Sequence, residues 1–212
     1  MIVYGSSLSP FVRKTLAYIS EKGLTAELKP IGLQAKDPEF RQASPFGKMP
    51  GFRDGDFTIS DSTAIITYLE AKHPEPALIP AEPKSRARTV WYEEFADTIL
   101  IATMGKVFFN RVVSPMFLGK PGDLALAEVA EKQEFPPLID YLEGVIPASG
   151  HLVDDRLTLA DLAVASPFVN FAHCGIEVDA ATHPKTAAFV AGILSRPSFA
   201  PIIAQEKQFF AR

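Results

Sequence analysis

A single cysteine in 212 residues rules out a good deal before any motif is read. Cys174 alone permits no internal disulfide and no cysteine metal cluster, and its apolar neighbourhood suits a small buried hydrophobe. The four histidines, His73, His151, His173 and His183, lack ligand spacing, so no metal is expected. No run of about 18 apolar residues is present to span a bilayer. The first residues also lack the basic stretch and apolar core of an export signal, so a cytoplasmic chain with no membrane partner is expected. A net charge of −4 without a dense Lys/Arg stripe argues against a nucleic-acid partner. The remainder, 47% apolar and 22% charged, is ordinary globular composition with length enough for one large or two small domains.

The first eighty residues alternate between strand and helix signals. Residues 1–4 form a short apolar run leaving into Gly5-Ser6-Ser7, which reads as a buried strand entering a loop. Ser9-Pro10 opens a helix with Val12, Leu16 and Ile19 on one face, and Gly23 fits its stop. A second strand is expected at 26–31 and a short helix at 37–43. Phe52, the turn residues Asp54-Gly55, Phe57 and Ile59 read as a hairpin, followed by a helix from Ser60-Asp61-Ser62. The right-handed crossover rule makes the first two strands parallel, with the hairpin extending the sheet antiparallel. Residues 73–83 carry four prolines, which fits a stiff connection. We therefore expect an α/β domain over 1–76, a linker over 77–83 and an all-α domain over 84–212.

In that second half, Trp91, Phe95, Ile99 and Ala102 recur at helical spacing within 84–113, with Gly105 as a weak point. A helix over 123–146 is expected to break or kink at Pro136-Pro137. Thr158-Leu159-Ala160-Asp161 resembles a capping box and starts a helix to about residue 172. Residues 182–194 and 198–209 complete the helical half.

The stretch 47–62 concentrates binding chemistry. Met49-Pro50 is a candidate cis peptide, which would present the Met49 N–H and C=O to an extended peptide, as one strand edge meets another. At Asp61-Ser62 the free amides of a helix start attract a carboxylate, while the Asp61 side chain suits an ammonium. One zwitterionic peptide ligand would satisfy both. Taken singly, each motif also reads as a turn and a cap.

Ser9-Pro10-Phe11-Val12-Arg13-Lys14, Gly47-Lys48-Met49-Pro50 and Asp61-Ser62-Thr63-Ala64-Ile65 together resemble the glutathione transferases, over nearly the whole chain. The resemblance is to serine-type, bacterial-like members. It implies a thioredoxin-like N-terminal domain with an all-α C-terminal domain, and glutathione as co-substrate. Ser9 then matches the catalytic serine, Met49 the residue that pairs main chain to the glutathione cysteine, and Asp61-Ser62 the γ-glutamyl clamp. Lys48 matches a position that contacts the glycine carboxylate. Asp61 is one methylene shorter than the Glu or Gln of many members, and Met49 stands where Val or Ile is commoner. In this setting Ser9 stabilises a thiolate by donating a hydrogen bond, with Ser6 and Ser7 as competitors for that role. Disulfide chemistry is disfavoured, because positions 9 and 12 are Ser and Val, not a Cys-x-x-Cys pair.

The resemblance further implies a detoxifying transferase that joins glutathione to an electrophilic apolar molecule, acting as a homodimer. Glutathione-dependent isomerisation, dehalogenation and ether cleavage start from the same thiolate, and a non-catalytic binding or adaptor role is the other reading. The second-substrate pocket is expected between the Ser9 region and the first long helix of the second half. Met104, Val107, Phe108, Phe109 and Arg111 are its candidates, although an apolar stripe also serves as core.

Overall fold

The structure, a computed structural model, describes residues 1–33 and 35–211. Two compact units divide the chain, residues 1–79 with 197–212 and residues 80–196. The expected division placed everything after the linker in the helical half; here the last helix groups with the sheet.

In the first unit β1 (Ile2–Gly5), α1 (Pro10–Glu21), β2 (Glu27–Pro30), α2 (Pro38–Ala43), β3 (Gly51–Asp54), β4 (Phe57–Ser60) and α3 (Ser62–Lys72) follow in order. The sheet runs β2-β1-β3-β4. β1 and β2 are parallel, with Val3 opposite Leu28, while β3 pairs antiparallel to β1 and β4, with Phe52 opposite Val3 and Ile59. The hairpin loop itself is Gly55-Asp56, one residue beyond the expected turn, and Gly55 takes φ +62°. Gly23, at φ +68°, ends α1 by donating its N–H to the Ser20 carbonyl, the left-handed stop that glycine favours. On one side of the sheet Tyr4, Ile31, Phe40 and Ala43 form a small core with Met49 packed against it.

α1 is buried well beyond the Val12–Ile19 stripe, since Arg13 and Lys14 are buried as fully as Val12. The terminal helix Ala200–Phe210 is one cause. Its Glu206 carboxylate accepts from Arg13 Nε at 3.2 Å and Nη2 at 2.9 Å, a two-pronged pair sealed from solvent. Burial pulls the Arg13 guanidinium below its ordinary pKa, and Glu206 opposes that shift. The start of the linker is tied to the same unit, because Glu70 accepts from the Ile79 N–H at 3.0 Å and Lys22 donates to the Pro76 carbonyl at 2.7 Å.

The second unit contains α4 (Pro83–Glu94), α5 (Ile101–Phe108), α6 (Ser114–Phe117), α7 (Leu124–Val129), α8 (Phe135–Val145), α9 (Leu159–His173) and α10 (Pro184–Leu194). α11 is the terminal helix already placed with the sheet. Wide π-helical turns at Phe95–Leu100 and Phe109–Val113 join α4, α5 and α6. Irregularity therefore falls there, and Gly105 sits inside α5 without a break. Pro136 and Pro137 occupy the first turn of α8, directly after a π-helical turn over Ala130–Glu134. α9 is buried along nearly its whole length. Its capping box is present: Asp161 accepts from the N–H groups of Leu152 and Thr158, each at 2.8 Å. Burial raises the Asp161 pKa while those two N–H donors pull against it.

Candidate functional site

Three segments that carry the sequence motifs meet at one end of the sheet because of its register. β1 ends at Gly5, β3 begins beside it with Gly51 opposite Tyr4, and β4 ends with Ser60 opposite Gly51. The Ser6–Ser9 loop, Met49-Pro50 and Asp61-Ser62 all leave the sheet at that end. Gly5 is the point of closest approach. A Cβ there would lie 2.6 Å from Val12 Cγ2 and 3.4 Å from Met49 Cβ, so glycine lets the first turn of α1 and the Met49 loop close over the strand end.

Ser9 occupies the N-cap position of α1 with extended backbone, φ −77° and ψ 123°, yet its side chain makes no cap hydrogen bond. Its N–H goes to the Ser6 carbonyl at 2.9 Å and its own carbonyl accepts from the Arg13 N–H at 3.0 Å. Pro10 follows as the first helical residue, where its missing N–H leaves no intrahelical bond unmade. No acidic residue sits in that first turn to offset the positive helix end. Of the competitors, Ser6 is partly engaged, accepting from the Leu8 N–H at 3.4 Å.

The Met49–Pro50 peptide is cis, as expected. Ladder pairing starts only at Gly51, and among the described residues no backbone hydrogen bond engages the Met49 N–H or C=O. The preceding turn is held by the Ser44 hydroxyl, which donates to the Lys48 carbonyl at 2.7 Å, and by Gly47 at φ +68°. Lys48 is exposed, with no ion-pair partner among the described residues.

Asp61 caps α3, its Oδ1 accepting from the N–H groups of Thr63 at 2.9 Å and Ala64 at 3.1 Å. It does so at φ 83° and ψ 129°, a conformation L-residues rarely adopt and one that costs on the order of 1–3 kcal/mol. The Asp61 N–H reaches the Pro50 carbonyl at 3.3 Å, which couples the cap to the Met49 loop. Ser62, the first residue of α3, is buried while Asp61 is exposed.

The structure thus brings Ser9, Met49, Asp61 and Ser62 to one end of one unit. The second-substrate candidates lie in the other unit, where Met104, Val107 and Phe108 are buried along α5, Phe109 is exposed and Arg111 pairs with Glu131. Two features escaped sequence reasoning: the wedge at Gly5, for which the only signal was a glycine ending an apolar run, and the backbone of Asp61, for which there was none.

A thioredoxin-like sheet followed by an all-helical unit, with a serine at the first helix start and a Pro-bounded edge beside it, defines the glutathione transferase fold. Comparison with known proteins agrees. Residues 3–77 match the glutathione S-transferase N-terminal domain and residues 109–206 the corresponding C-terminal domain. A glutathione S-transferase of Hyoscyamus muticus is 33% identical over 211 residues, covering 96% of this chain and 97% of that one. Among solved structures, a glutathione S-transferase from Rhodospirillum rubrum F11 superposes with a TM-score of 0.87 at 26% identity, covering 95% and 90% of the two chains. Maize glutathione S-transferase I in complex with an atrazine glutathione conjugate gives 0.82 at 25% identity, covering 97% of each. The chain belongs to the glutathione S-transferase family and is a transferase. No helix among the described residues is long and apolar enough to cross a membrane.

Proposed function

We propose that this transferase joins the thiolate of glutathione to an electrophilic, largely apolar small molecule, with Ser9 as the catalytic residue that donates a hydrogen bond to the sulfur. The observation that carries the reading is the Ser9 hydroxyl, which stands at the positive end of a twelve-residue helix and is not spent on capping it. A hydroxyl is too weak a base to take the thiol proton, so the proton leaves to solvent and the serine stabilises the anion that remains. The sulfur lone pair then forms the new bond to the electrophilic carbon, and the leaving group departs with its electron pair or, in an addition, the adduct takes up a proton.

The magnitudes suffice. Lowering a thiol from about 8.5 by two units needs about 2.7 kcal/mol of preference for the thiolate. One charge-assisted hydrogen bond of roughly 1.5–3 kcal/mol and a helix-end contribution of about 0.3–1 kcal/mol supply it. The uncommitted N–H and C=O of Met49 pair with the cysteinyl main chain, Asp61 and Ser62 hold the γ-glutamyl group, and Lys48 meets the glycine carboxylate. Met104, Val107, Phe108 and Arg111 are proposed for the second substrate, the first three, buried along α5, as apolar groups and Arg111, paired with Glu131, as the cation.

A second copy of the chain is the proposed protein partner. Phe46 supports this: it is 90% exposed directly before the Gly47-Lys48-Met49 turn, a large aromatic whose burial against a second copy would contribute to association.

The experiment is Ser9→Ala, followed by absorbance of bound thiolate near 240 nm across pH and by turnover with a panel of electrophiles. The bound thiol pKa is expected to rise, with a larger loss in kcat than in glutathione affinity. An unchanged thiol pKa removes Ser9 from the mechanism, and glutathione binding without turnover by the parent protein on any electrophile points to the adaptor role.

A further inference from the structure

The turn that presents Met49 is clasped from outside by a side chain that belongs to none of the sequence motifs. The inner face of α2 carries Phe40 and Ala43, both buried, and they approach β3 so closely that a Cβ at Gly51 would stand 3.2 Å from the Phe40 ring and 3.3 Å from Ala43 Cβ. Its outer face carries Arg41, which is exposed. Arg41 Nε donates to the Ala35 carbonyl at 3.2 Å, ahead of the helix, and Nη1 reaches the Pro45 carbonyl at 3.5 Å, behind it. One guanidinium therefore spans both flanks of α2, which its fixed fork of donors allows and a single ammonium does not.

Gly47 closes the clasp. A Cβ there would lie 2.6 Å from Arg41 Nη1 and 2.9 Å from Cζ, so the guanidinium occupies the space a side chain would fill. The backbone at φ +68° also suits glycine. From this point the turn runs directly into the proposed binding edge. The Gly47 N–H donates to the Ser44 carbonyl at 2.9 Å, the buried Ser44 hydroxyl donates to the Lys48 carbonyl at 2.7 Å, and Met49 packs on the core of Tyr4, Ile31, Phe40 and Ala43. Arg41 has no ion-pair partner among the described residues; carbonyl oxygens and the bare face of Gly47 hold it.

We propose, on the glutathione reading above, that Arg41 is a positioning residue for the peptide edge: by gripping Ala35, Pro45 and the face of Gly47 it keeps the Gly47-Lys48 turn in the shape that aligns the Met49 N–H and C=O with the cysteinyl main chain. Phe40 and Ala43 anchor α2 without it, so removing Arg41 loosens the turn and leaves the fold. A ligand that binds only the ordered turn has its affinity divided by the fraction of molecules in that shape, and an ordered fraction of about 10–20% weakens glutathione about five- to tenfold. Once bound, the complex is the same, so the loss belongs to KM and not to kcat.

Arg41→Ala, Arg41→Lys, Gly47→Ala and the double alanine variant of the full chain test this by calorimetric titration with glutathione, by kcat and KM with an electrophile that the parent consumes, and by solvent exchange of the Gly47 amide without ligand. In Arg41→Ala the dissociation constant and KM should rise about five- to tenfold at constant kcat, and the Gly47 amide should exchange faster by a similar factor while core amides keep their protection. Arg41→Lys should recover little, because charge alone does not span the two carbonyls. Gly47→Ala displaces the guanidinium by itself, so adding Arg41→Ala to it should weaken glutathione by no more than about a further twofold. Unchanged glutathione affinity or unchanged Gly47 exchange in Arg41→Ala, full recovery by Arg41→Lys, or losses that multiply in the double variant would each overturn the proposal. An Arg41→Ala chain that does not fold overturns it as well, since the residue would then support the unit and not the turn. A parent protein that binds no glutathione removes the reading beneath it, and the ligand-free exchange of Gly47 still decides whether Arg41 holds the turn.

Discussion

Asp61 carries two loads that a pair of substitutions can separate. Its carboxylate caps α3 through Oδ1, and its backbone sits at φ 83°, where a side chain is disfavoured. Asp61→Asn keeps an acceptor for the Thr63 and Ala64 N–H groups and removes only the charge. If the carboxylate pairs with the γ-glutamyl ammonium, glutathione should bind more weakly by about 1–3 kcal/mol, or about five- to 150-fold. Exposure of the side chain places the expected value in the lower half of that range, since solvent screens the pair. The loss should appear in KM and not in kcat, because the ammonium is remote from the sulfur and is held alike in ground and transition states. Asp61→Gly relieves the backbone, worth about 1–3 kcal/mol, and loses a cap that glycine replaces at a cost of a few tenths. Its melting temperature is therefore expected to equal or exceed the parent's, while glutathione affinity falls at least as far as in Asp61→Asn. Calorimetric titration and thermal unfolding of both variants test the pair. An unchanged dissociation constant in folded Asp61→Asn would refute the clamp, and a melting temperature well below the parent's in Asp61→Gly would refute the strain argument.

Glu206→Ala removes a two-pronged partner of the buried Arg13 guanidinium and is expected to cost about 3–5 kcal/mol; replacing both residues by Met and Leu should recover most of that, and additive losses in denaturant titrations would contradict the pairing. Phe46→Ala is expected to weaken self-association, so light scattering should show a mass nearer one subunit of 23.1 kDa at micromolar concentration; a parent protein already at that mass would contradict the dimer. Asp37, the cap of α2, is held below its usual value of 3.8, chiefly by the Phe40 N–H it accepts. With the folded value depressed, its contribution is present above pH 3.8 and is lost as pH falls through the lower folded value. A titration of the Phe40 amide shift that is the same in Asp37→Asn would show that another group governs that limb.

Local patterns made most of the first unit legible, because its elements are short and punctuated by residues with one mechanical meaning. Gly23 ends α1, Gly55 turns the hairpin and Asp61 starts α3, and each does so through its own backbone or nearest amides. What stayed hidden depends on partners distant in sequence. The burial of Arg13 was invisible from a Val12–Leu16–Ile19 stripe, since one of its partners, Glu206, stands 193 residues away. Gly105 drew attention as a low-propensity residue, but propensity is a weak prior, and α5 runs through it without a break. The site residues divide in the same way. Their convergence followed from sheet topology, which the strand and turn signals already implied. Whether Ser9 spends its hydroxyl on the helix is a different kind of fact, decided by a single rotamer. Composition favours Ser before Pro as a cap, yet in the fold Ser9 is tethered to Ser6 through its N–H and leaves the hydroxyl uncommitted. A serine that capped its own helix would have less to offer a thiolate, so this departure from local preference is what makes the residue available for chemistry.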